Sequence, residues 1–160
     1  MLSLIFSPYA SAPETQPEPT QPAPVTITLD GKVVAETEVY FPAYSADLSL
    51  VEAPKALLNT RNLDRLADAL KPVSGAKILV TGHANKVFWQ DVAKGDREQR
   101  EVLVPLSLAR AEAVRDALVH RGIDPTVFSV TGVGAEGAVA PFGDLVNNWK
   151  NRRVEFVVVP

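Results

Sequence analysis

The sequence predicts an α+β fold. We expect a two-layer sandwich in which a mixed four-stranded sheet carries two main helices on one face, with an N-terminal β-hairpin as an extension. Several short segments alternate or are continuously apolar, as strands are, and two longer segments repeat apolar residues at helical spacing. The chain has 160 residues, of which 46% are hydrophobic, which is enough for one domain with a substantial core plus a tail.

The first 24 residues are predicted to be a Pro-rich linker or tail, and the domain is expected to span residues 25–160. Six prolines between residues 8 and 24 exclude a helix and favour a stiff, extended chain. Leu2–Phe6 is interpreted as the end of a strand from an upstream domain. A signal peptide is the alternative, because Ala10-Ser11-Ala12 resembles a cleavage site, although no Lys or Arg precedes the short apolar segment.

The hairpin and the elements after it are predicted from local patterns. Val25–Leu29 alternates, Asp30-Gly31 is a strong hairpin-turn signal, and Lys32–Tyr40 returns as a second strand. The remaining expected elements are helices at residues 59–70 and 108–121 and strands at residues 77–81, 128–133 and 154–159. This order of strands and helices is typical of a two-layer sandwich.

Ser107 and Arg110 stand at the predicted start of the second helix. Ser107 is a suitable N-cap, because its hydroxyl can accept a hydrogen bond from a free N–H group of the first turn. Arg110 in that turn opposes the helix dipole, and departures from a local rule are often functional. Beside free N–H groups, Arg110 would make a receptor for a carboxylate or a phosphate. The alternative is a solvated arginine without a partner.

Residues 86–104 give no clear secondary-structure signal. Val87, Phe88 and Trp89 occur together, and they either pack beneath this segment or form a lid over a site. The charged run Asp96–Glu101 is interpreted as a solvated face.

The composition argues against several functional classes. A net charge of −3 does not favour nucleic acid as a partner, and the apolar segments are too short to span a membrane. The chain has no cysteine and only two histidines, His83 and His120, neither of which has a paired nucleophile or a cluster of metal ligands in the sequence. We therefore expect no enzymatic activity, no metal and no cofactor. His83 is expected to fix a loop through a backbone hydrogen bond.

Several motifs occur together in an order that resembles the OmpA-like peptidoglycan-binding domain family, which includes OmpA, Pal and MotB. Residues 78–85 form a strand-like segment followed by Gly-His-Ala-Asn, and residues 106–114 read LSLARAEAV. A Gly-X-Gly turn then precedes Asn151-Arg152-Arg153, and residues 39–48 are similar to the family's first strand and turn. The resemblance covers roughly residues 25–160.

The resemblance implies non-catalytic binding of the diamino acid of the peptidoglycan stem peptide. The ligand-binding residues that it implies are Asn85, Arg110 and Arg152, with His83 and Ser107 beside them. Asn85 departs from the family pattern, which has Asp there. It can still accept a hydrogen bond through its amide oxygen, but the loss of charge should lower affinity roughly tenfold or more.

Two functions are compatible with this resemblance. The first is a binding module that anchors an upstream domain to peptidoglycan in the periplasm, associated with the outer membrane. The second is a structural or protein-interaction domain that has lost or altered wall binding. Leu103, which stands where the family has a helper Asn, favours the second function. Phe88 or Trp89 packed over Arg110 would favour it too.

Overall fold

The computed structural model describes residues 20–73 and 75–160. In this part of the chain the strands are β1 (Thr20–Leu29), β2 (Lys32–Pro42), β3 (Lys77–Gly82), β4 (Phe128–Gly132) and β5 (Val154–Val159). The helices of this part are α1 (Lys55–Leu70), α2 (Val92–Glu98) and α3 (Val104–Val119), together with short 3₁₀ turns. None of the described helices has the length and apolar character that crossing a membrane requires.

The predicted fold class is confirmed, and the hairpin is part of the main sheet. The described strands form one mixed sheet in the order β2-β1-β5-β3-β4. Strand β1 is antiparallel to β2 and parallel to β5, while β3 is antiparallel to β5 and parallel to β4. The predicted four-stranded sheet with a separate hairpin is therefore a five-stranded sheet within the described residues.

The helices cover one face of the sheet. Val154, Phe156 and Val158 alternate inward along β5 and are buried, whereas Val157 on the other face is 40% exposed. The core is formed by apolar side chains of the sheet together with those of α1 and α3, among them Val25, Ile27, Val39, Leu63, Leu66, Leu70, Ile78, Val80, Ala111, Val114 and Leu118.

Strand β1 begins at Thr20, so its first five residues belong to the predicted tail. Residues 20–24 pair with β2 only, because β5 pairs with β1 over Val25–Leu29. Pro22 and Pro24 are two residues apart and so present their nitrogens to the same side of the strand, which here can be the side without a neighbouring strand. The rest of the predicted tail, residues 1–19, lies outside the described residues.

The outer edge of β2 is partly covered by α1. Asn59 accepts a hydrogen bond from the N–H of Tyr40 at 2.7 Å and donates to its carbonyl at 2.9 Å. Asn62 donates to the carbonyl of Glu38 at 2.8 Å. These contacts satisfy backbone groups that an edge strand would otherwise expose. Helix α1 begins at Lys55, so Asn59 is inside the helix and not at its start.

Two glycines allow α3 to lie directly on the ends of β3 and β4. A side chain at Gly82 would overlap the carbonyl group of Ser107, and one at Gly132 would overlap the backbone of Leu108. This close approach fixes where the first turns of α3 sit relative to the sheet, and it thereby places Arg110.

The segment at residues 86–104 is largely helical. Asp91 caps α2 by accepting from the N–H of Lys94 at 3.0 Å. A π-helical stretch, Gln99–Leu103, then connects α2 to α3 without interruption. Pro105 lacks an N–H group and clashes with the preceding turn of a regular helix, and a π turn is one way to accommodate it. Pro105 and Gly95 hid this helix from the sequence pattern.

Candidate functional site

Arg110 is a buried arginine with a fixed orientation. It is 5% exposed, and its Nε and Nη2 donate to the carbonyls of Ser45 and Pro42, both at 3.0 Å. Its guanidinium carbon lies 5.1 Å from the centre of the Phe41 ring. The turn after β2 and the aromatic ring therefore hold this cation in one position, as a receptor for an anion requires.

The predicted position of Arg110 in the first turn of a helix, beside free N–H groups, was wrong. Helical structure runs from Val92 through the start of α3, so Arg110 is not in a first turn with free N–H groups. Ser107 is likewise no N-cap. Its hydroxyl donates to the carbonyl of Val104 at 3.1 Å and accepts from the N–H of Gly134 at 3.0 Å. Ser107 thus ties α3 to the loop after β4.

The chain reversal before β5 separates two neighbouring arginines. Arg152 lines the same cavity as Arg110. Arg153 points to the other side, where its Nε donates to Glu155 at 2.8 Å and its Nη2 donates to the carbonyl of Gly137 at 2.8 Å. The predicted division of these arginines between two faces is confirmed, although both precede the first residue of β5.

A small cavity lies between the turn after β2, the turn after β3 and the start of α3. Its volume is about 60 Å³. A cavity needs about 10–15 Å³ measured in this way to hold one water molecule, so this one has room for a small end group of a larger ligand. It is lined by Gln21, Tyr44, Ala84, Asn85, Val87, Leu103, Leu106, Arg110 and Arg152.

Asn85 lies at the cavity within a network of amides. Its Oδ1 accepts from Nδ2 of Asn151 at 2.9 Å, and its own Nδ2 is 3.4 Å from the carbonyl oxygens of Lys86 and Phe142. Asn151 is fully buried and also accepts from the N–H groups of Val139 and Ala140. The amide oxygen that was expected to serve a ligand therefore already has a protein partner.

Glu98 corrects the prediction of a solvated charged face. It is 1% exposed, and its carboxylate accepts from the N–H groups of Val87 and Phe88 at 2.9 to 3.1 Å. Arg97 and Glu101 on the same segment are exposed, as expected. Glu98 therefore holds the turn after β3 against α2, beside the cavity.

Neither of the two aromatic residues for which a lid was one alternative lines the cavity. Trp89 is 47% exposed and packs against Gly143, and the Phe88 ring lies 5.9 Å from the Lys94 ammonium. Val87 is the residue of this group that lines the cavity.

His83 is buried beside the cavity wall. Its Nδ1 donates to the carbonyl of Glu136 at 2.9 Å, its Nε2 is 3.2 Å from Glu155, and its backbone N–H donates to the carbonyl of Arg153 at 2.9 Å. The expectation of a histidine that fixes a loop is confirmed. The hydrogen bond from His83, followed by that from Arg153, lowers the pKa of Glu155 from its ordinary value of 4.5 to about 2.

Tyr44 is a residue of the cavity that the sequence did not indicate. Its φ is 53°, a left-handed value that is uncommon for a bulky residue and often occurs at functional sites. Burial raises the pKa of its phenol, and the nearby Arg152 partly offsets this effect. The phenol is therefore neutral at physiological pH and able to donate a hydrogen bond. The residue as a whole is 41% exposed, and its left-handed backbone value leaves no signal in the sequence.

The fold and the cavity together define a domain of the α+β sandwich class with a small cavity lined by two arginines. The chain belongs to the OmpA family, whose model matches residues 57–152.

Two further comparisons agree with this assignment. Peptidoglycan-binding protein ArfA of Mycobacterium tuberculosis is 31% identical over 110 residues, which are 69% of this chain and 29% of that protein. The chain thus spans less than a third of the length of this curated relative. The structure of the type VI secretion system cell wall anchor from Pseudomonas aeruginosa is 29% identical, with a TM-score of 0.52 over 72% of this chain and 71% of that chain.

The same fold occurs in more distant proteins. A MotB-like protein from Desulfovibrio vulgaris has a TM-score of 0.55 at 24% identity, covering 75% of this chain and 69% of that one. The C-terminal domain of Helicobacter pylori MotB has a TM-score of 0.53 at 22% identity, covering 72% and 80%.

Proposed function

We propose that this chain is a non-catalytic peptidoglycan-binding module that anchors a larger envelope protein to the cell wall. Membership of the OmpA family supports this, as do the similarity to a protein named for peptidoglycan binding and to a secretion-system cell wall anchor. The ligand is the diamino acid of the stem peptide, bound by one end in the cavity of Arg110 and Arg152.

The observation that carries this proposal is the convergence of two arginines from distant parts of the chain on one cavity. Arg110 comes from α3 and Arg152 from the turn before β5. Backbone carbonyls fix the guanidinium of Arg110, so little side-chain entropy remains to be lost when a ligand binds. A carboxylate between two guanidiniums gains charge-assisted hydrogen bonds.

The other residues of the predicted set support this grip. Asn85 lies at the cavity and contacts the neutral part of the ligand. Ser107 and His83 position the site, since both are engaged by backbone groups and neither is among the residues that line the cavity.

The proposal places the chain in the periplasm or cell envelope, in association with the outer membrane. A domain upstream of the Pro-rich segment would be the part that is anchored.

The second candidate is a structural or protein-interaction domain of the same family. The small volume of the cavity and the apolar wall formed by Leu103 favour it. The positions of Phe88 and Trp89 away from the cavity favour the first function.

Co-sedimentation of the purified chain with isolated peptidoglycan sacculi tests the proposal. Arg110→Ala should lower the affinity by roughly 10- to 100-fold, because a hydrogen bond to a charged group contributes ~1.5–3 kcal/mol. Arg115→Ala is the matched control, since Arg115 lies on the same helix and pairs with Asp116 on the surface. Arg152→Ala tests the same cavity without removing the hydrogen bonds that Arg110 makes to the turn after β2.

Circular dichroism would establish that each variant is folded. Equal sedimentation of the wild type, Arg110→Ala and Arg152→Ala would contradict the proposal. An absence of sedimentation by the folded wild type would favour the structural alternative.

A further inference from the structure

A groove on the open face of the sheet is separate from the cavity described above. It is lined by residues of β1, β2 and β5 and of the segments before β5, among them Thr26, Glu36, Glu38, Trp149, Arg153 and Glu155. Its volume is about 640 Å³. This lies within the range of roughly 300–1,000 Å³ that is typical of small-molecule sites. Among the described residues, the groove shares no lining residue with the cavity of Arg110 and Arg152.

Polar side chains form a row across the floor of this groove. Thr26 pairs with Glu36 of β2 and with Glu155 of β5. Val25 and Ile27, on either side of Thr26, are buried in the core, so Thr26 and its partners face away from the helices. The row therefore presents hydroxyl and carboxylate oxygens to a molecule that occupies the groove.

Arg153 is held at the wall of the groove with one nitrogen that lacks an acceptor. Its Nε donates to Glu155 and its Nη2 to the carbonyl of Gly137, both at 2.8 Å. Its Nη1 is buried and has no hydrogen-bond partner among the described residues. The side chain as a whole is only 10% exposed, so its position is fixed. A buried donor without an acceptor is unfavourable, and an oxygen of a bound molecule would satisfy it.

Charged groups of both signs line the groove. In the described part of the chain, the carboxylates are those of Glu36, Glu38 and Glu155, and the cations are Lys150 and Arg153. A polycation would meet the two cations, and a polyanion would meet the three carboxylates. A hydroxyl group donates and accepts hydrogen bonds, so a neutral molecule with many hydroxyls can bond to groups of both signs.

Trp149 supplies an apolar surface beside these polar groups. It lines the groove and is partly buried, and it lies in a short helical turn, Asn148–Asn151, before β5. A sugar ring has a face of C–H groups that packs on an aromatic ring, while its hydroxyls remain free at the edge to form hydrogen bonds. An indole next to carboxylates and a guanidinium therefore matches the surface of a saccharide.

We propose that this groove is a second binding site and that its ligand is a neutral saccharide. One sugar ring packs on Trp149, and its hydroxyls donate to Glu36 and Glu38 and accept from Arg153. The neighbouring residues Arg152 and Arg153 thus serve two sites on opposite sides of one turn. The class of ligand follows from the groove alone and does not depend on the function proposed for the cavity.

NMR titration of the full ¹⁵N-labelled chain with chitotetraose, a neutral oligosaccharide of N-acetylglucosamine, tests the inference. The indole N–H of Trp149 and the backbone amides of Thr26 and Glu155 should shift together in the millimolar range. The indole N–H of Trp89 is the internal control, because Trp89 packs against Gly143 and is not among the described residues that line the groove. Tri-lysine, used as a second probe, should shift these resonances less than chitotetraose.

Two variants test the residues that are assigned to the ligand. Trp149→Ala should weaken the binding of chitotetraose roughly tenfold or more, because a tryptophan often contributes a large part of the binding energy of a site. Trp89→Ala is the matched control and should change the affinity by less than roughly twofold. Glu36→Gln, at an exposed position, should weaken binding by roughly three- to tenfold, because a neutral acceptor replaces a charged one.

The outcomes separate this inference from the proposed function. If chitotetraose leaves the Trp149 indole unshifted in the folded wild-type chain, the inference is wrong, whether or not the chain sediments with sacculi. A stronger response to tri-lysine would overturn it as well, because the groove would then be a site for cationic peptides. Shifts at the groove without sedimentation would support the saccharide site and contradict the wall-anchoring function. The wild-type titration decides the question even if Trp149→Ala does not fold.

Discussion

The two sides of the cavity are built in different ways. On one side, Arg110 and Arg152 bring positive charge to the cavity, and the carbonyls of Ser45 and Pro42 orient Arg110. On the other side, Asn85 belongs to a neutral amide network centred on the buried Asn151. Under the proposed function, the arginine side would provide the affinity for an anion, while the amide side shapes the loop next to it.

The largest loss of stability is expected when the carboxylate of Glu98, which holds the loop of the amide side, is removed. Glu98→Ala leaves the N–H groups of Val87 and Phe88 without their acceptor and creates a buried void. We expect a loss of about 3 kcal/mol in the free energy of unfolding, measured by urea denaturation. Glu101→Ala, on the exposed side of the same segment, should change it by less than about 0.5 kcal/mol. Equal effects of the two variants would contradict the structural role of Glu98.

The next largest loss of stability is expected from a change of Asn151, which lies at the centre of the amide network. Asn151→Ala removes the acceptor of the Val139 and Ala140 N–H groups and the donor to Asn85. A loss of about 2 kcal/mol in the free energy of unfolding is expected, because buried polar groups lose their partners. Asn148→Ala, which removes a hydrogen bond to the carbonyl of Phe142, should have the smaller effect. The reverse order would show that the loop is not organised by Asn151.

The link between the two sides should make stability depend on pH. His83 joins the turn before Asn85 to the segment of Arg152 and Arg153, and Glu155 bonds to its ring. The pKa of Glu155 is lowered to about 2 in the folded chain, so its contribution is present above pH 4.5 and is lost as the pH falls towards 2.

The Glu155 side chain is 38% exposed, so solvent screening limits its contribution to about 1–2 kcal/mol. Stability measured against pH for the wild type and Glu155→Gln should differ at pH 6 and converge near pH 2. Parallel curves over this range would be inconsistent with the lowered pKa.

The smallest loss of stability is expected from Asn85→Asp, which adds a charge to the amide side. In Asn85→Asp, one carboxylate oxygen faces the carbonyls of Lys86 and Phe142, which disfavours the ionised form. We expect a loss of about 1 kcal/mol in the free energy of unfolding at pH 7. Because this environment raises the pKa of the new carboxyl, the loss should shrink as the pH falls towards 4. A loss that grows on acidification would show that the amide orientation is different.

The fold could be predicted from the sequence because its signals are local. Alternation in β1, the Asp30-Gly31 turn and the apolar spacing of α1 each depend on neighbouring residues. The helical segment before α3 was missed because Gly95 and Pro105 interrupt its pattern, and the N-cap interpretation of Ser107 was wrong for the same reason.

The site could be predicted only in part. The motifs indicated Arg110 and Arg152, and both line the cavity. Glu98, Asn151 and Tyr44 were not identified. Glu98 matters because it is buried, and Asn151 because it bonds to a residue 66 positions away. Tyr44 stands out only by its left-handed backbone value. Such features arise from tertiary packing, which no short segment of the sequence records.

The most direct test of the proposed anion recognition by the two arginines is NMR spectroscopy of the ¹⁵N-labelled chain during titration with a stem-peptide fragment that contains diaminopimelate. The Nε–H resonance of Arg110 and the backbone amides of Tyr44, Asn85 and Arg152 should shift together, while the indole N–H of Trp149, on the open face of the sheet, should stay unchanged. Shifts centred on Trp149, with Arg110 unaffected, would contradict the assignment of the ligand to this cavity.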